Sequence, residues 1–210
     1  MKVFILAGGL GTRIRAMFPD QPKPLIPIHG KPFLEWQIDL LKDQGFTEFI
    51  LCLSYRADQI QQHFGGGARH GISVAYSIER SPLGTAGALK QAAAQFDATS
   101  LVLNGDTYFA ADFRALVEAH RHASDQPIGT IGLVSARDVS AYGQVLLADD
   151  HRILEFHEKS AENHAPGLIN AGAYVLEPAV IDFIPAGSQV SIERDTFPAI
   201  LASGKILRGT

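Results

Sequence analysis

A short apolar strand running straight into a glycine-rich bend restricts what this chain can fold into more than any other stretch. Residues 3–7 read VFILA, and the run breaks at Gly8 and Gly9, with a third glycine, Gly11, close behind. Without side chains the backbone can bend through conformations closed to other residues. Successive N–H groups freed by such a bend can point into one concavity and hold an anion, most often phosphate. Arg13 adds a planar fork of donors matched to phosphate oxygens. Further on, Lys23 stands between Pro22 and Pro24, which restrict the backbone on both sides of its ammonium.

Two better-known phosphate loops do not fit. A dinucleotide fingerprint requires a glycine where Ile14 stands, and a Walker loop requires Ser or Thr where Pro32 follows Gly30 and Lys31. A tight turn with an exposed arginine and a solvated lysine is the plain alternative. The added Thr12-Arg13 and the proline cage around Lys23 argue against it. Together, AGGLGTR and then PKPLIPIHGKP resemble the signature of the sugar-1-phosphate nucleotidyltransferases. The resemblance implies that Arg13 and Lys23 act as catalytic cations on the phosphates of a nucleoside triphosphate. It also implies that Leu6, Ala7, Gly8, Gly9, Gly11 and Thr12 line the nucleotide site.

The 210 residues are enough for one sizeable α/β domain. A net charge of −4 argues against nucleic acid as a partner, so phosphate recognition has to come from a few placed cations. Cys52, the one cysteine, lies in the apolar run FILCLS; it reads as a buried core thiol, leaves no disulfide framework and points to a reducing compartment. Met1 leads directly into a strand, and no apolar run approaches the length of a membrane span. The expectation is a cytoplasmic protein without a membrane partner.

Periodicity predicts a helix over residues 32–45, with Phe33, Trp36 or Gln37, Leu40 and Leu41 at helical spacing and Gly45 as its stop. Trp36 on such a helix is expected in the core rather than stacked on a base. Residues 47–54 read as a buried strand and 57–64 as a short helix ended by glycines. Residues 72–78 read as a strand with Ile72, Val74, Tyr76 and Ile78 on its buried face. Strands separated by helices point to βαβ units and a parallel sheet, whose ligands gather beyond the carboxyl ends of the strands. With the family resemblance, the expected fold class is α/β: a Rossmann-like three-layer α/β/α arrangement around a mixed, mainly parallel sheet. It is expected as one domain, with residues 1–125 serving the nucleotide and 126–210 the sugar phosphate.

The loop SIERSPLGTAG, residues 77–87, leads into a helix over ALKQAAAQF, and its start offers free N–H donors. In the resembling family this segment borders the base, which implies base contacts from Glu79, Pro82, Gly84 and Thr85. An ionised carboxylate only accepts hydrogen bonds, so Glu79 suits the adjacent donors of guanine better than the single N–H of uracil or thymine, which favours GTP. The strand over residues 101–106 ends in Asn104, Gly105 and Asp106. A carboxylate there can hold a Mg²⁺ that also binds phosphate oxygens, although an aspartate after glycine is also an ordinary turn. The family's Gly-Asp at this place implies Asp106 as metal ligand and catalytic residue, with Asn104 and Gly105 beside the nucleotide. Asp112 is expected to cap the next helix, and His120 and His122, two apart, do not share a face and are rejected as a metal pair.

From residue 128 the pattern turns to strands: 128–137, another from Tyr142, a turn at Asp149-Asp150 into RILEFHEK, and 167–176. The aspartate pair is expected to be a hairpin turn rather than a catalytic dyad. The resemblance implies that Tyr142, Gly143, Glu158, Lys159, Asn170 and Gly172 surround the sugar phosphate, with Glu158 and Asn170 on hydroxyls and Lys159 on the attacking phosphate. Otherwise Glu158 and Lys159 are a solvated pair on a hairpin end. Ser191 is expected to cap a last helix, with Glu193 and Asp195 near its positive end, before a final strand KILRG. The family continues with an Asp-x-Gly segment bearing a second metal carboxylate, and nothing after Lys205 supplies it. Either the native chain continues past Thr210, the preferred reading, or metal binding rests on Asp106 and phosphate oxygens alone.

These readings converge on transfer of a nucleoside monophosphate, GMP from GTP, to a sugar 1-phosphate, with Mg²⁺ as cofactor. The resemblance favours the D-glycero-D-manno-heptose 1-phosphate of bacterial surface-polysaccharide synthesis as the sugar. Mannose 1-phosphate, or an amino-sugar phosphate with UTP, are the alternatives. A non-catalytic module that binds nucleotide sugars is the rival from another class, and the intact Arg13, Lys23, Asp106 and Lys159 speak against it. Assembly into a homo-oligomer stays open.

Overall fold

The computed structural model describes residues 1–9, 11, 14, 16–157 and 162–210. In chain order its elements are β1 (Lys2–Leu6), a small ribbon of β2 (Pro27–Ile28) and β3 (Lys31–Pro32), α1 (Phe33–Asp43), β4 (Glu48–Leu53), α2 (Ala57–Phe64) and β5 (Ser73–Ile78). Then come α3 (Gly84–Gln91), β6 (Ser100–Asn104), α4 (Phe113–Arg121), β7 (Gly129–Ala136), β8 (Gln144–Leu147), β9 (Ile153–His157), β10 (Gly167–Leu176), α5 (Phe197–Ala202) and β11 (Leu207–Gly209).

The side chains of β1 divide between two cores. Val3 and Ile5 join Leu34, Ile38 and Leu41 of α1, Ile60 and Phe64 of α2, and Phe113 and Leu116 of α4. Phe4 and Leu6 face the other way, toward Ala88 and Leu89 of α3 and Phe197 and Ile200 of α5. Strands buried on both faces carry unbroken apolar runs, as β1, β4 and β6 do. Two helical layers on one sheet make the expected three-layer α/β/α fold. The sheet order is β11-β7-β10-β6-β1-β4-β5, with β8 paired to β10 and β9 to β8. The pairs β6–β1, β1–β4, β4–β5 and β11–β7 are parallel, and β10 runs antiparallel to both of its main neighbours, β6 and β7. No helix among the described residues is long and apolar enough to cross a membrane.

Five expectations about these elements need correction. The buried face of α1 is Leu34, Gln37, Ile38 and Leu41, one step out of phase with the predicted stripe. Trp36 is not core: its Nε1 donates to Ile28 O at 2.9 Å and Lys31 Nζ sits 3.5 Å from its ring centre, so it anchors the β2–β3 ribbon. At the end of the edge strand β5, Ile78 is exposed and Ser77 is buried. Helix α3 starts at Gly84, before ALKQAAAQF, and the last helix is preceded by a π-helical turn, Ile192–Thr196.

Other local readings stand. Asp112 Oδ1 accepts from the N–H groups of Arg114 and Ala115, and Ser191 Oγ from that of Arg194. Asp150 Oδ1 accepts from Arg152 N in the β8–β9 turn. His120 turns inward to Thr130 and Glu177 while His122 pairs outward with Glu118. Cys52 is buried, and that burial, with the nearby Glu79 charge, pushes its thiol up to about 12.

Candidate active site

From β1 the chain goes first to β4 and β5 on one side and later to β6 on the other, so the strand order reverses between β1 and β6. A crevice opens at the carboxyl ends of the strands at such a point. Gly105 N–H donates to Leu6 O at 2.9 Å, closing the crevice floor. A Cβ at Gly105 would lie 2.8 Å from both Leu6 O and Ala7 Cβ, so only glycine lets the two strand ends approach this closely.

Three concavities meet there. One of about 290 Å³ is lined by Leu6, Ala7, Gly9, Gly11, Lys23, Asn104, Gly105 and Asp106. A second, about 340 Å³, is bordered by Gly8, Glu79, Pro82 and Gly84. The third, about 560 Å³, lies against Tyr142, Gly143, Asn170 and Gly172. Thr85 is shared by the first two, and Asn104 by the first and third. Every described residue singled out from the sequence thus lines one connected cleft. Thr12, Arg13, Glu158 and Lys159 lie outside the described residues. A larger hollow of about 790 Å³ at the opposite end of the sheet, beside His120 and Glu177, contains none of these residues.

Lys23 opens a single 3₁₀ turn, Lys23–Leu25, and its Nζ donates to Asp106 Oδ2 at 2.8 Å. Gln37, buried on α1, donates through Nε2 to Asn104 O at 3.0 Å and Thr107 O at 2.6 Å. It therefore clamps the loop that carries Asp106; the sequence pattern leaves open only whether Trp36 or Gln37 falls on the inward stripe.

Glu79 is buried and its Oε2 accepts from Leu83 N–H at 2.8 Å. Its Oε1 lies so close to Gly8 that a Cβ there would come within 2.7 Å. Burial raises the Glu79 carboxyl above its usual value, partly offset by the Leu83 N–H. The expectation of free donors at the start of α3 is corrected: the N–H groups of Ala86 and Gly87 both donate to Val190 O, at 3.0 and 3.4 Å. Val190 N–H in turn donates to Leu83 O at 2.8 Å, so the segment before Ser191 backs the loop and occupies these two helix-end donors.

In the third cavity β10 breaks register between Asn170 and Tyr174, and Gly172 adopts φ +72°. Asn170 Oδ1 accepts from Gly172 N–H at 2.8 Å and its Nδ2 donates to Tyr174 Oη at 3.0 Å. That leaves one N–H and one lone pair of Asn170 for a ligand. Two residues missed by sequence reasoning also line this cavity, Glu193 and Arg194. Glu193 lies in the first turn after the Ser191 cap, as expected, but its carboxylate turns inward to Asn104, Tyr174, Thr85 and Ser191. A π-turn leaves no periodic trace in sequence, so no pattern pointed to it.

The sequence profile of the family described as Nucleotidyl transferase matches residues 2–207. The chain belongs to this family. It is 38% identical over 217 residues to UTP–glucose-1-phosphate uridylyltransferase of Synechocystis, covering 97% of this chain and 56% of that protein. It is 39% identical over 201 residues to mannose-1-phosphate guanylyltransferase of Mycobacterium tuberculosis, covering 95% and 55%. With D-glycero-alpha-D-manno-heptose 1-phosphate guanylyltransferase of Aneurinibacillus thermoaerophilus the identity is 38% over 196 residues, covering 93% and 83%. The chain thus spans little more than half the length of the first two relatives. Among solved structures, HddC from Yersinia pseudotuberculosis in complex with GMP-PN matches with TM-score 0.83 and 35% identity, over 100% of this chain and 89% of that one.

The donor set of this nucleotidyl transferase bears on the metal. Among the described residues no three His, Cys, Asp or Glu side chains gather into a cluster. Mg²⁺ is usually held by one or two carboxylates together with substrate phosphates and water. Asp106, half-exposed beside the glycine bend, fits a Mg²⁺ held in that way.

Proposed function

We propose that this nucleotidyl transferase moves the GMP unit of GTP onto D-glycero-α-D-manno-heptose 1-phosphate, releasing pyrophosphate. The observation that carries the reading is that three cavities join through Thr85 and Asn104, with Lys23 and Asp106 in the middle one, Glu79 in the second and a sugar-sized hollow as the third. The sugar phosphate is already an anionic nucleophile, so no general base is required. The protein's task is to bring two anions together in line and to stabilise charge on the leaving pyrophosphate.

In this reading the glycine bend and Lys23 hold the triphosphate, joined by Thr12 and Arg13. Glu79 accepts from N1–H and the 2-amino group of guanine. Tyr142, Gly143, Asn170, Gly172 and Glu158 hold the sugar, and Lys159 meets its phosphate. Mg²⁺ on Asp106 would neutralise phosphate charge. The reaction is placed in the cytoplasm, in keeping with the free thiol of Cys52. The guanylyltransferase relatives and the GMP-PN complex of HddC support the choice of guanine. Mannose 1-phosphate is the second reading, favoured by the Mycobacterium relative.

Pyrophosphate release, measured with Mg²⁺ across GTP, UTP, ATP and a panel of sugar 1-phosphates on the native-length protein, tests this. The highest kcat/KM is expected for GTP with the heptose phosphate. Preference for mannose 1-phosphate selects the second reading, and no turnover with any pair would leave a nucleotide-sugar-binding module.

A further inference from the structure

Four donors from separate places in the chain converge on one carboxylate. Glu193 Oε1 accepts from Tyr174 Oη at 3.0 Å and Asn104 Nδ2 at 3.1 Å, and Oε2 accepts from Ser191 Oγ at 3.0 Å and Thr85 Oγ1 at 3.3 Å. An ionised carboxylate has about four lone-pair sites, so this one has no acceptor left for a ligand. The hydroxyls are committed as well. Thr85 Oγ1 accepts Ile192 N–H at 2.8 Å, Ser191 Oγ accepts Arg194 N–H at 3.2 Å and Tyr174 Oη accepts from Asn170 Nδ2 at 3.0 Å. Each hydroxyl therefore gives its single proton to Glu193, and the polarity of the whole set is fixed.

Two of these donors belong to different parts of the cleft. Thr85 borders the glycine-bend and Glu79 cavities, and Asn104 borders the glycine-bend cavity and the sugar-side cavity. One side chain thus sets the spacing between the wall on the nucleotide side and the wall on the sugar side. The segment carrying it is the π-helical turn Ile192–Thr196, a rare geometry that is frequent at functional sites.

We propose that Glu193 is a positioning residue that holds the attacking sugar phosphate in line with the nucleotide by tying Thr85 to Asn104. It touches neither substrate. The inference rests on the guanylyl-transfer reading above. A misplacement of about 1 Å lowers the rate of an aligned bimolecular step by ~10²-fold, so its loss falls on kcat more than on either KM.

Steady-state kinetics with GTP, a sugar 1-phosphate and Mg²⁺ on wild type, Glu193→Gln and Tyr174→Phe test this, with Asp112→Ala as a control for lost stability. Gln keeps the shape but turns one acceptor into an NH₂ donor. Glu193→Gln is expected to lower kcat by ~10²-fold while each KM stays within ~3-fold. Tyr174→Phe removes one donor from a buried ring and is expected to lower kcat by a smaller factor; it decides the matter if Glu193→Gln does not fold. Asp112→Ala is expected to lower Tm and keep kcat. Wild-type kcat in the folded variants overturns the proposal. So does a rise in one KM at unchanged kcat, which makes Glu193 a ligand of that substrate, or a loss matched by the unfolded fraction. Absence of turnover in wild type sinks the guanylyl-transfer reading itself and the positioning role with it.

Discussion

Lys23 Nζ lies 2.8 Å from Asp106 Oδ2, and the pair joins the proline-flanked turn to the end of β6 beside the glycine bend. The two side chains are 36% and 57% exposed, and an ion pair this open contributes ~0–1 kcal/mol to folding. The pair therefore adds little to folding, and in the guanylyl-transfer reading its two charges serve the ligand. Lys23→Ala and Asp106→Ala are each expected to lower kcat by ~10²–10³-fold, with Tm nearly unchanged. Wild-type turnover in either variant would remove that residue from the chemistry.

Glu79 links pH to stability and, in the guanylyl-transfer reading, to recognition. Its carboxyl is raised by burial, so the ionised form is disfavoured in the folded state. That penalty is present at neutral pH and disappears as pH falls below the unfolded value, where both states are protonated. Glu79→Gln is therefore expected to be at least as stable as wild type at pH 7, an advantage that fades on acidification. For GTP the effect is opposite: guanine needs the ionised acceptor, so wild-type KM should rise as pH falls toward the raised value. Glu79→Gln should show a high KM that varies little with pH. Thermal melts and KM–pH profiles of the two proteins check both halves.

Gly105 and Gly9 differ in what an added side chain would meet. A Cβ on Gly105 meets Leu6 O and Ala7 Cβ at 2.8 Å, so Gly105→Ala is expected to cost ~1–3 kcal/mol in denaturant melts. A Cβ on Gly9 meets nothing within 4 Å, and Gly9→Ala should change stability by no more than ~0.5 kcal/mol. If phosphates do lie against this backbone, Gly9→Ala will instead raise the KM for GTP. An unchanged KM places the phosphates elsewhere.

Cys52 offers a probe of unfolding. With the thiol pushed up to about 12 and fully covered, almost no thiolate exists at pH 8. Iodoacetamide is expected to leave the folded protein unlabelled and to react once denaturant unfolds it. Rapid labelling of the folded enzyme would show that β4 opens locally.

What the sequence made legible were features with sharp local signals. Helix α2 and strand β10 have the bounds their patterns predict, because glycines or a clear change of period mark their ends. Glycines and fixed cations likewise pointed to the glycine-bend cavity. The inward face of α1 was misjudged because Trp36 looks more apolar than Gln37. Gln37 is nevertheless the buried one, since it satisfies two loop carbonyls that no hydrophobic residue could serve. The sequence correctly places Glu193 in the first turn after Ser191, but its inward hydrogen bonds were not legible, since only the tertiary positions of Tyr174, Asn104 and Thr85 provide them.

The hydrogen bonds from Ala86 and Gly87 to Val190, and from Val190 back to Leu83, make the loop beside the Glu79 cavity depend on a segment more than a hundred residues further along. A fragment cut near residue 125 would keep every glycine of the bend, Lys23, Glu79 and Asp106, yet lose the scaffold behind that loop. Replacing the chain after residue 125 with a segment from a relative would therefore mean reproducing the backbone contact at residue 190 before anything else could be exchanged.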